Sequence, residues 1–434
     1  PMVVLYRVTD PERVGAMGSQ VRHLVSPVAN QYLKKFKVNT DEAFSLRNLK
    51  VENVSESLDK NEKFLKISNV LYLPSTPLNM LVSIAHASSN IASQKSSLVF
   101  IDQKNNESNL YLETLKGLNE NLFEKVLILP GRASGFKKFK ERSLNFSILK
   151  ELSLSTTFDA IAVGSDRRIE FQFLMNEVST KTNYDVAGWY LDDGLYSYAG
   201  RVSTLLKDSV NNLVKKFFYG SWWQEPRNVG ISNWIKDAWL FDVQNAIHDI
   251  RNAKQCHVIE PEWFSSPIVS EYSRQLLKAY DLDEKDQQYI NKVDIFILVP
   301  HPSNLKKMDG YQERLEKFMQ EAMKQGYTFA VKYHPRTQID DLIDCHRFEA
   351  LILPKTLAFE FVLPLMGSKA IVVGDVSTAL MSVKWLRPDI KAYGVIDNAN
   401  TFTRQYGQIL KKLGIEVKDS FDFISAQGNL KDIK

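Results

Sequence analysis

Two stretches decide how this chain folds: Ala187-Gly188-Trp189-Tyr190-Leu191-Asp192-Asp193-Gly194 and Tyr327-Thr328-Phe329-Ala330-Val331-Lys332-Tyr333-His334-Pro335-Arg336. Each is a short apolar run that gives way to charge and turn formers, as a buried parallel strand does at its end. The first run ends in a carboxylate pair and Gly, the second in a His between two cations. Ligands of open α/β sheets sit beyond the carboxyl ends of the strands. The two ends therefore imply one interdomain site, fit to join a phosphate-bearing donor to a hydroxyl acceptor.

Outward from these runs, the same texture repeats. Strands are expected at Val70–Leu73, Leu98–Ile101, Val126–Leu129, Ala160–Val163 and Trp189–Leu191, and a second series at Val293–Val299, Phe329–Tyr333, Leu351–Leu353, Ala370–Val373 and Ala392–Ile396. Helical patterns alternate with them, which is the signature of parallel sheets with crossover helices. Thr76-Pro77 opens one such helix, with a capping hydroxyl before a Pro at the first helical position. The expected fold is α/β, two Rossmann-like doubly wound parallel-sheet domains facing across a cleft. Its parts are residues 66–260 as an acceptor-side domain, 261–290 as a Pro- and Ser-rich linker, and 291–400 as a nucleotide-donor domain. Residues 401–434 are expected to form a helical segment that packs back on the first domain. Residues 1–65 lack clear strand patterning, with a helix expected over 11–35, and are assigned no role.

Composition narrows the class. The 434 residues are 44% hydrophobic and 24% charged, as in an ordinary globular protein. Lys and Arg number 55 against 51 Asp and Glu, a net charge of +4, which leaves no overall basic surface for nucleic acid. Two cysteines cannot build a disulfide framework, so a reducing compartment is expected. No apolar run reaches the ~20 residues a spanning helix needs, and the first residues do not read as a secretory signal.

Each site motif has a plain reading beside a chemical one. Asp192-Asp193-Gly194 is either a turn at a strand end or a general base for a sugar hydroxyl, with a neighbour that orients the acceptor and a Gly that admits substrate to the backbone. His334 is either a loop-bonded His or, between Lys332 and Arg336, a group facing an anionic ligand, with Pro335 fixing the backbone. His301-Pro302 is a rival after another strand; His334 is preferred for its cationic flanks. Ser377-Thr378 opens a strand-loop-helix turn and either caps the helix or donates to phosphate. Glu360 either faces solvent or accepts from a ribose diol. No Gly-x-Gly-x-x-Gly or Walker-type loop occurs. Cys256-His257 and Cys345-His346 are too closely spaced for a zinc cluster. Phe136-Lys137-Lys138-Phe139-Lys140 and Lys215-Lys216-Phe217-Phe218-Tyr219 interleave cations with aromatics. They either meet an anionic membrane surface or acidic glycan, or form solvated helix edges over core aromatics.

With these residues in order, the chain resembles bacterial sialyltransferases of the two-Rossmann (GT-B) architecture. That family carries an acidic-acidic-Gly motif, then His-Pro, then a Ser/Thr pair; here these are Asp192-Asp193-Gly194, His334-Pro335 and Ser377-Thr378, with Glu360 between the last two. The resemblance spans about residues 66–400 in layout and a dozen residues in sequence. Capsular polysialyltransferases usually carry Glu-Glu-Gly, from which Asp-Asp-Gly departs.

The resemblance implies CMP-sialic acid as donor, inversion in one displacement, no metal and no cofactor. Asp193 would be the base, and His334 with Ser377 and Thr378 would stabilise the leaving phosphate. Asp192, Gly194, Pro335, Ser75 and Thr76 would orient acceptor or donor, and Lys332, Arg336 and Glu360 would hold the nucleotide. The partners expected are CMP-sialic acid and an oligosaccharide acceptor that can be acidic. The setting expected is assembly of capsule or lipooligosaccharide on the cytoplasmic side, with peripheral contact at the inner membrane. The alternatives are a nucleotide-sugar epimerase or CMP-sugar hydrolase of the same architecture, and a non-catalytic glycan- or nucleotide-binding protein.

Overall fold

The computed structural model describes the backbone of 2–6, 21–25 and 43–45, and then 68–421 except 105–108, 119–121, 182–184, 202–204, 307, 309, 376 and 397–400. Residues 1–68 form a compact unit by themselves. It holds three parallel strands, β1 Met2–Tyr6, β2 Val21–Val25 and β3 Ala43–Ser45, in the order β1-β2-β3. This corrects the reading of 1–65 as lacking strands, and β2 falls inside the helix expected over 11–35. Val-Arg-His-Leu-Val carries its β-branched residues at the ends of a five-residue run, too short a pattern to separate from a helical one.

Residues 69–434 form the second unit, built on two sheets. The first uses β4 Ser68–Leu73, β5 Gln94–Gln103, β6 Lys125–Pro130, β7 Ala160–Val163, β8 Ala187–Leu191, β9 Ile235–Leu240 and β10 Gln255–Val258, ordered β10-β9-β8-β7-β4-β5-β6. The second uses β11 Ile295–Leu298, β12 Phe329–Lys332, β13 Leu351–Leu353, β14 Ile371–Gly374, β15 Lys391–Val395 and β16 Glu416–Lys418, ordered β13-β12-β11-β14-β15-β16. Counted within each domain, both run 3-2-1-4-5-6, the doubly wound dinucleotide-fold order, with one strand added to the first. The switch points, where the strand order reverses, are β4/β7 and β11/β14. The ten strands expected in these sheets are all present; β9, β10 and β16 are additional.

Among the described residues the α-helices longer than four residues are α1 Pro77–Ser89, α2 Leu110–Gly117, α3 Phe136–Ser155, α4 Ile169–Lys181, α5 Leu205–Tyr219, α6 His248–Ala253, α7 Pro267–Ala279, α8 Glu284–Lys292, α9 Tyr311–Lys324, α10 Thr378–Leu386 and α11 Thr401–Lys412. Thr76 caps α1 by accepting the Asn79 N–H at 3.2 Å, with Pro77 in the first turn. The second sheet shows why a continuous apolar strand is needed. Ile295 and Ile297 face one core with Leu315 and Met319 of α9, while Phe296 and Leu298 face the other, shared with the first domain. A period of two thus feeds two buried layers.

The segment 261–290 is not an extended linker. Ser266 and Pro267 start α7 as cap and first residue, and α7 buries Val269, Tyr272, Leu276 and Leu277. The Tyr272 hydroxyl donates to the Tyr111 carbonyl at 2.7 Å, and its ring meets Phe361 of the second domain at 5.5 Å. The Pro and Ser that read as linker are helix-start chemistry. The second domain also runs past residue 400, because β16 pairs with β15. α11 does face the first domain, lining a cavity with residues of that half; residues 422–434 lie outside the described residues. Among the described residues no helix is long and apolar enough to cross a membrane.

Candidate active site

The cleft between the sheets is lined from both strand-end sets. Thr76, Asp193, Gly194, Lys332, His334, Pro335, Glu360, Ser377 and Thr378 surround a cavity of about 510 Å³. Asp193 also borders a second cavity, of about 1130 Å³, lined by Arg167, Arg168, Arg201, Gln408 and Lys412. Asp193 thus stands where the two cavities meet.

Its loop is built by its neighbour. Asp192 is fully buried and its carboxylate accepts from the Gly194 N–H at 2.9 Å, Ser197 Oγ at 2.6 Å, the Phe241 N–H at 3.2 Å and the Tyr198 hydroxyl. Gly194 takes φ +100°, which a residue with Cβ rarely adopts. Asp192 therefore orients Asp193 and does not line either cavity. Asp193 accepts one bond from Thr76 Oγ1 at 3.3 Å. Burial, reinforced by the Asp192 charge, raises its pKa to about 7, with Arg168, Asn79 and Thr76 opposing. A carboxyl titrating there is matched to general base work at neutral pH.

Across the cleft, His334 Nδ1 accepts the Arg336 N–H at 3.1 Å. Burial, with His301, Arg336 and Lys332 nearby, lowers its pKa to about 4, so the imidazole is neutral at pH 7. With Nδ1 an acceptor, the ring proton of that neutral form sits on Nε2. The rival motif is not elsewhere: the His301 ring lies 4.5 Å from His334, edge on. His301 repeats the same local device, its Nδ1 accepting the Ser303 N–H at 3.0 Å and capping the short helix Pro302–Leu305. The two His-Pro motifs end adjacent strands β11 and β12, so choosing between them by sequence separated residues that the sheet brings together.

The remaining assignments divide. Lys332 Nζ donates to the Tyr333 and Lys355 carbonyls, each at 2.8 Å, and burial lowers its pKa to about 8 with Glu360 opposing. Its charge sits beside the cleft while its hydrogen bonds hold the loop. Arg336 is exposed and does not line the cavity; its backbone N–H, not its guanidinium, serves His334. Ser75 is buried behind Thr76 and does not line it either. Ser377 caps α10 through the Ala379 N–H at 3.3 Å, and Thr378 is exposed at the first helical position. Glu360 accepts from Ser382 Oγ at 3.1 Å, and burial raises its pKa with Ser382 and Lys332 opposing. Two residues the motifs did not single out act on Asp193: buried Asn79, in the first turn of α1, and Arg168, after β7, which lines the larger cavity and pairs with Asp102. Both follow strands at the β4/β7 switch point, which is the signal that locates them. Cys256 and Cys345 are free thiols, and His257 pairs with Asp237 at 3.0 Å.

Two facing Rossmann-like domains, with a carboxylate on one strand-end set and a His and helix start on the other, define a GT-B glycosyltransferase. The alpha-2,8-polysialyltransferase (POLYST) family model matches residues 45–395. The chain belongs to that family and is a sialyltransferase; its Asp-Asp-Gly, a departure from the usual capsular motif, does not place it outside. Among solved structures, it is similar to the alpha/beta-galactoside alpha-2,3-sialyltransferase of the luminous marine bacterium Photobacterium phosphoreum, at 12% identity and TM-score 0.53, over 85% of this chain and 100% of that one. A sialyltransferase from Photobacterium damsela gives 13% identity and TM-score 0.49 over 81% of each chain. A putative UDP-N-acetylglucosamine 2-epimerase from Listeria monocytogenes gives 10% identity and TM-score 0.49, over 84% of this chain and 88% of that one. At these identities the likeness is one of fold. No curated protein sequence matches the chain.

Proposed function

We propose that the chain transfers sialic acid from CMP-sialic acid to a hydroxyl of an acidic cell-surface glycan, with inversion and without a divalent metal or cofactor. The observation that carries this is the position of Asp193 between two cavities, opposite His334. CMP-sialic acid occupies the cavity of the Ser377-Thr378 and Glu360 side, and the acceptor occupies the larger one. The acceptor hydroxyl gives its proton to Asp193 as its oxygen bonds the anomeric carbon, while the bond from that carbon to the phosphate oxygen breaks. The transition state is oxocarbenium-like, as in other glycosyl transfers. The charge that grows on departing CMP is met by the His334 Nε2–H, the nearby Lys332 ammonium and the N-terminus of α10, fixed before reaction begins. The Lys332 ammonium and the α10 N-terminus, with the neutral His334 donor, take the place of the metal that other transferases use.

Arg167, Arg168, Arg201 and Lys412 around the larger cavity suit a carboxylated acceptor. The family description points the same way, towards the 8-hydroxyl of a preceding sialic acid and repeated addition. Capsule or lipooligosaccharide assembly at the cytoplasmic face of the inner membrane is the setting that fits. Incubation with CMP-sialic acid and a panel of neutral and sialylated acceptors, read by mass spectrometry with and without chelator, tests the reading. Elongated sialylated products, unaffected by chelation, are expected. Donor hydrolysis without transfer, or dependence on added magnesium or manganese, overturns it.

A further inference from the structure

The two aromatic-cation runs, 75 residues and more apart in sequence, meet on the surface of the first domain. Phe139 of α3 contacts Phe218 of α5, ring centres 5.5 Å apart, and Phe218 contacts Phe217 at 5.5 Å. These side chains do not cover core: Phe136 is 94% exposed, Phe217 85% and neighbouring Leu213 73%. On α5, Leu213 and Phe217, and likewise Val214 and Phe218, stand one turn apart on one face; on α3, Phe136, Lys140 and Leu144 do the same. A soluble surface rarely gathers so many exposed large side chains unless they meet something.

Charge says what. The first five residues of α3 include Lys137, Lys138 and Lys140, with no acidic residue before Glu141 and no capping side chain. Cations at the positive end of a helix are locally unfavourable, a defect that an anion relieves. Beside them lies a hollow of about 520 Å³ lined by Lys104, Arg132, Lys137 and Lys140 and by one acidic residue, Glu141. Among the described residues no ion pair involves Lys137, Lys138, Lys140 or Lys216. Lys215, by contrast, is held by Glu225 at 2.7 Å and lies over the Trp223 ring. The basic hollow and the highly exposed apolar rings together fit an anionic lipid surface, whose headgroups meet the one and whose interface takes the other; a free phosphate has no use for the rings.

We propose that this face of α3 and α5 docks on an anionic lipid bilayer, the rings entering the interface and a phosphodiester headgroup occupying the basic hollow. Lys and Arg near an anionic leaflet and aromatic side chains at the headgroup level act together in such binding. The proposal deepens the reading of a membrane-borne acceptor. Its test uses neither donor nor acceptor, so the two readings fail separately.

The experiment is co-sedimentation of the full chain with phosphatidylcholine vesicles, with and without phosphatidylglycerol, at two salt concentrations. Binding is expected to need the anionic lipid and to weaken with salt. The change Phe136→Ser with Phe217→Ser should cost roughly tenfold or more in partitioning. Lys138→Gln with Lys140→Gln and Lys216→Gln should cost on the order of 100-fold. Unchanged melting temperatures show that these variants fold. On the unaltered protein, vesicles should slow hydrogen exchange over 136–144 and 213–219. Equal binding to neutral and anionic vesicles, or no binding at low salt, overturns the proposal. So does binding of a soluble polycarboxylated oligosaccharide that depends on the lysines and not on the rings. A dimer in light scattering that dissolves in the Phe variant assigns the face to a second copy of this chain instead.

Discussion

The loop after β8 and the loop after β12 answer each other across the cleft by opposite means. In the first, two adjacent carboxylates share the labour: Asp192 takes four hydrogen bonds that build the turn, and Asp193 takes one and is left to the cleft. In the second, a single ring does both jobs, His334 Nδ1 holding the Arg336 N–H and Nε2 remaining for a ligand. Burial moves the two groups in opposite directions, Asp193 up to about 7 and His334 down to about 4. Both shifts favour the uncharged form, which desolvation always does. The cleft therefore holds a carboxyl ready to exchange a proton and an imidazole that donates without charge.

The largest effect that can break this comparison is expected at Asp193. Asp193→Asn should lower turnover ~10²–10⁴-fold, the usual worth of a positioned proton acceptor, with CMP binding unchanged. Asp192→Ala should instead act on the fold, leaving four donors without an acceptor at about 1–3 kcal/mol each at most, and lower the melting temperature. Similar turnover and melting losses in both variants would erase the division of labour.

The pH dependence sharpens the same point. On the proposed mechanism, with Asp193 as the base, kcat/KM should rise with pH through about 7. The sign for stability is the reverse. Native Asp193 keeps its proton from the ordinary carboxyl range near 4 up to about 7 while the unfolded chain has lost it, so native protein binds more protons there and stability falls as pH rises. Asp193→Asn should thus melt higher than the parent at pH 8, and the gain should vanish below pH 4. A pH-independent difference would deny the raised pKa.

At the opposite loop, His334→Ala should reduce kcat by ~10²–10³-fold, the cost of one preorganised donor, and change KM less. His301→Ala should cost less and raise the pKa of His334 by removing one of its repulsive neighbours, readable by NMR titration of the ring. A silent His334→Ala with a crippled His301→Ala would transfer the role to the first His-Pro.

Smaller effects are expected at the nucleotide. Glu360→Gln should weaken CMP roughly 10-fold, as a bond to a charged partner is worth about 1.5–3 kcal/mol, and deoxy-CMP should lose less with the variant than with the parent. Ser377→Ala with Thr378→Ala should weaken CMP several-fold and cytidine hardly at all, with a modest melting loss from the lost cap, about 1 kcal/mol. Calorimetry separates the two; equal affinities throughout would remove these residues from the donor site.

Most strands legible in advance are buried on both faces, such as Ile295–Leu298 and Ala160–Val163, because only a continuous apolar run satisfies two cores; β6 and β13 are edge strands that were legible because their runs, Val-Leu-Ile-Leu and Leu-Ile-Leu, are apolar throughout. The missed ones lie at or beside sheet edges. β10 and β16 are edge strands with exposed ends, and Ile-Lys-Asp-Ala-Trp-Leu of β9 carries two charges on its less buried side; edge strands keep polar residues that discourage pairing. Likewise the Ser266-Pro267 start of α7 read as linker because caps and linkers use the same residues.

By itself the sequence determined the doubly wound class, the two strand ends that meet, and Asp193, His334, Glu360 and Ser377-Thr378 as the residues that line the cleft. These follow from local rules: apolar runs make buried strands, and turn chemistry marks their ends. Only the tertiary structure decided which side chains reach the cleft and which are consumed in holding it. It buried Asp192, tied Lys332 to two carbonyls, turned Arg336 away, set His301 beside His334, and joined two distant aromatic-cation runs into one surface. Such pairings depend on strand order and helix packing, which place residues far apart in the chain side by side, and no local spacing encodes them.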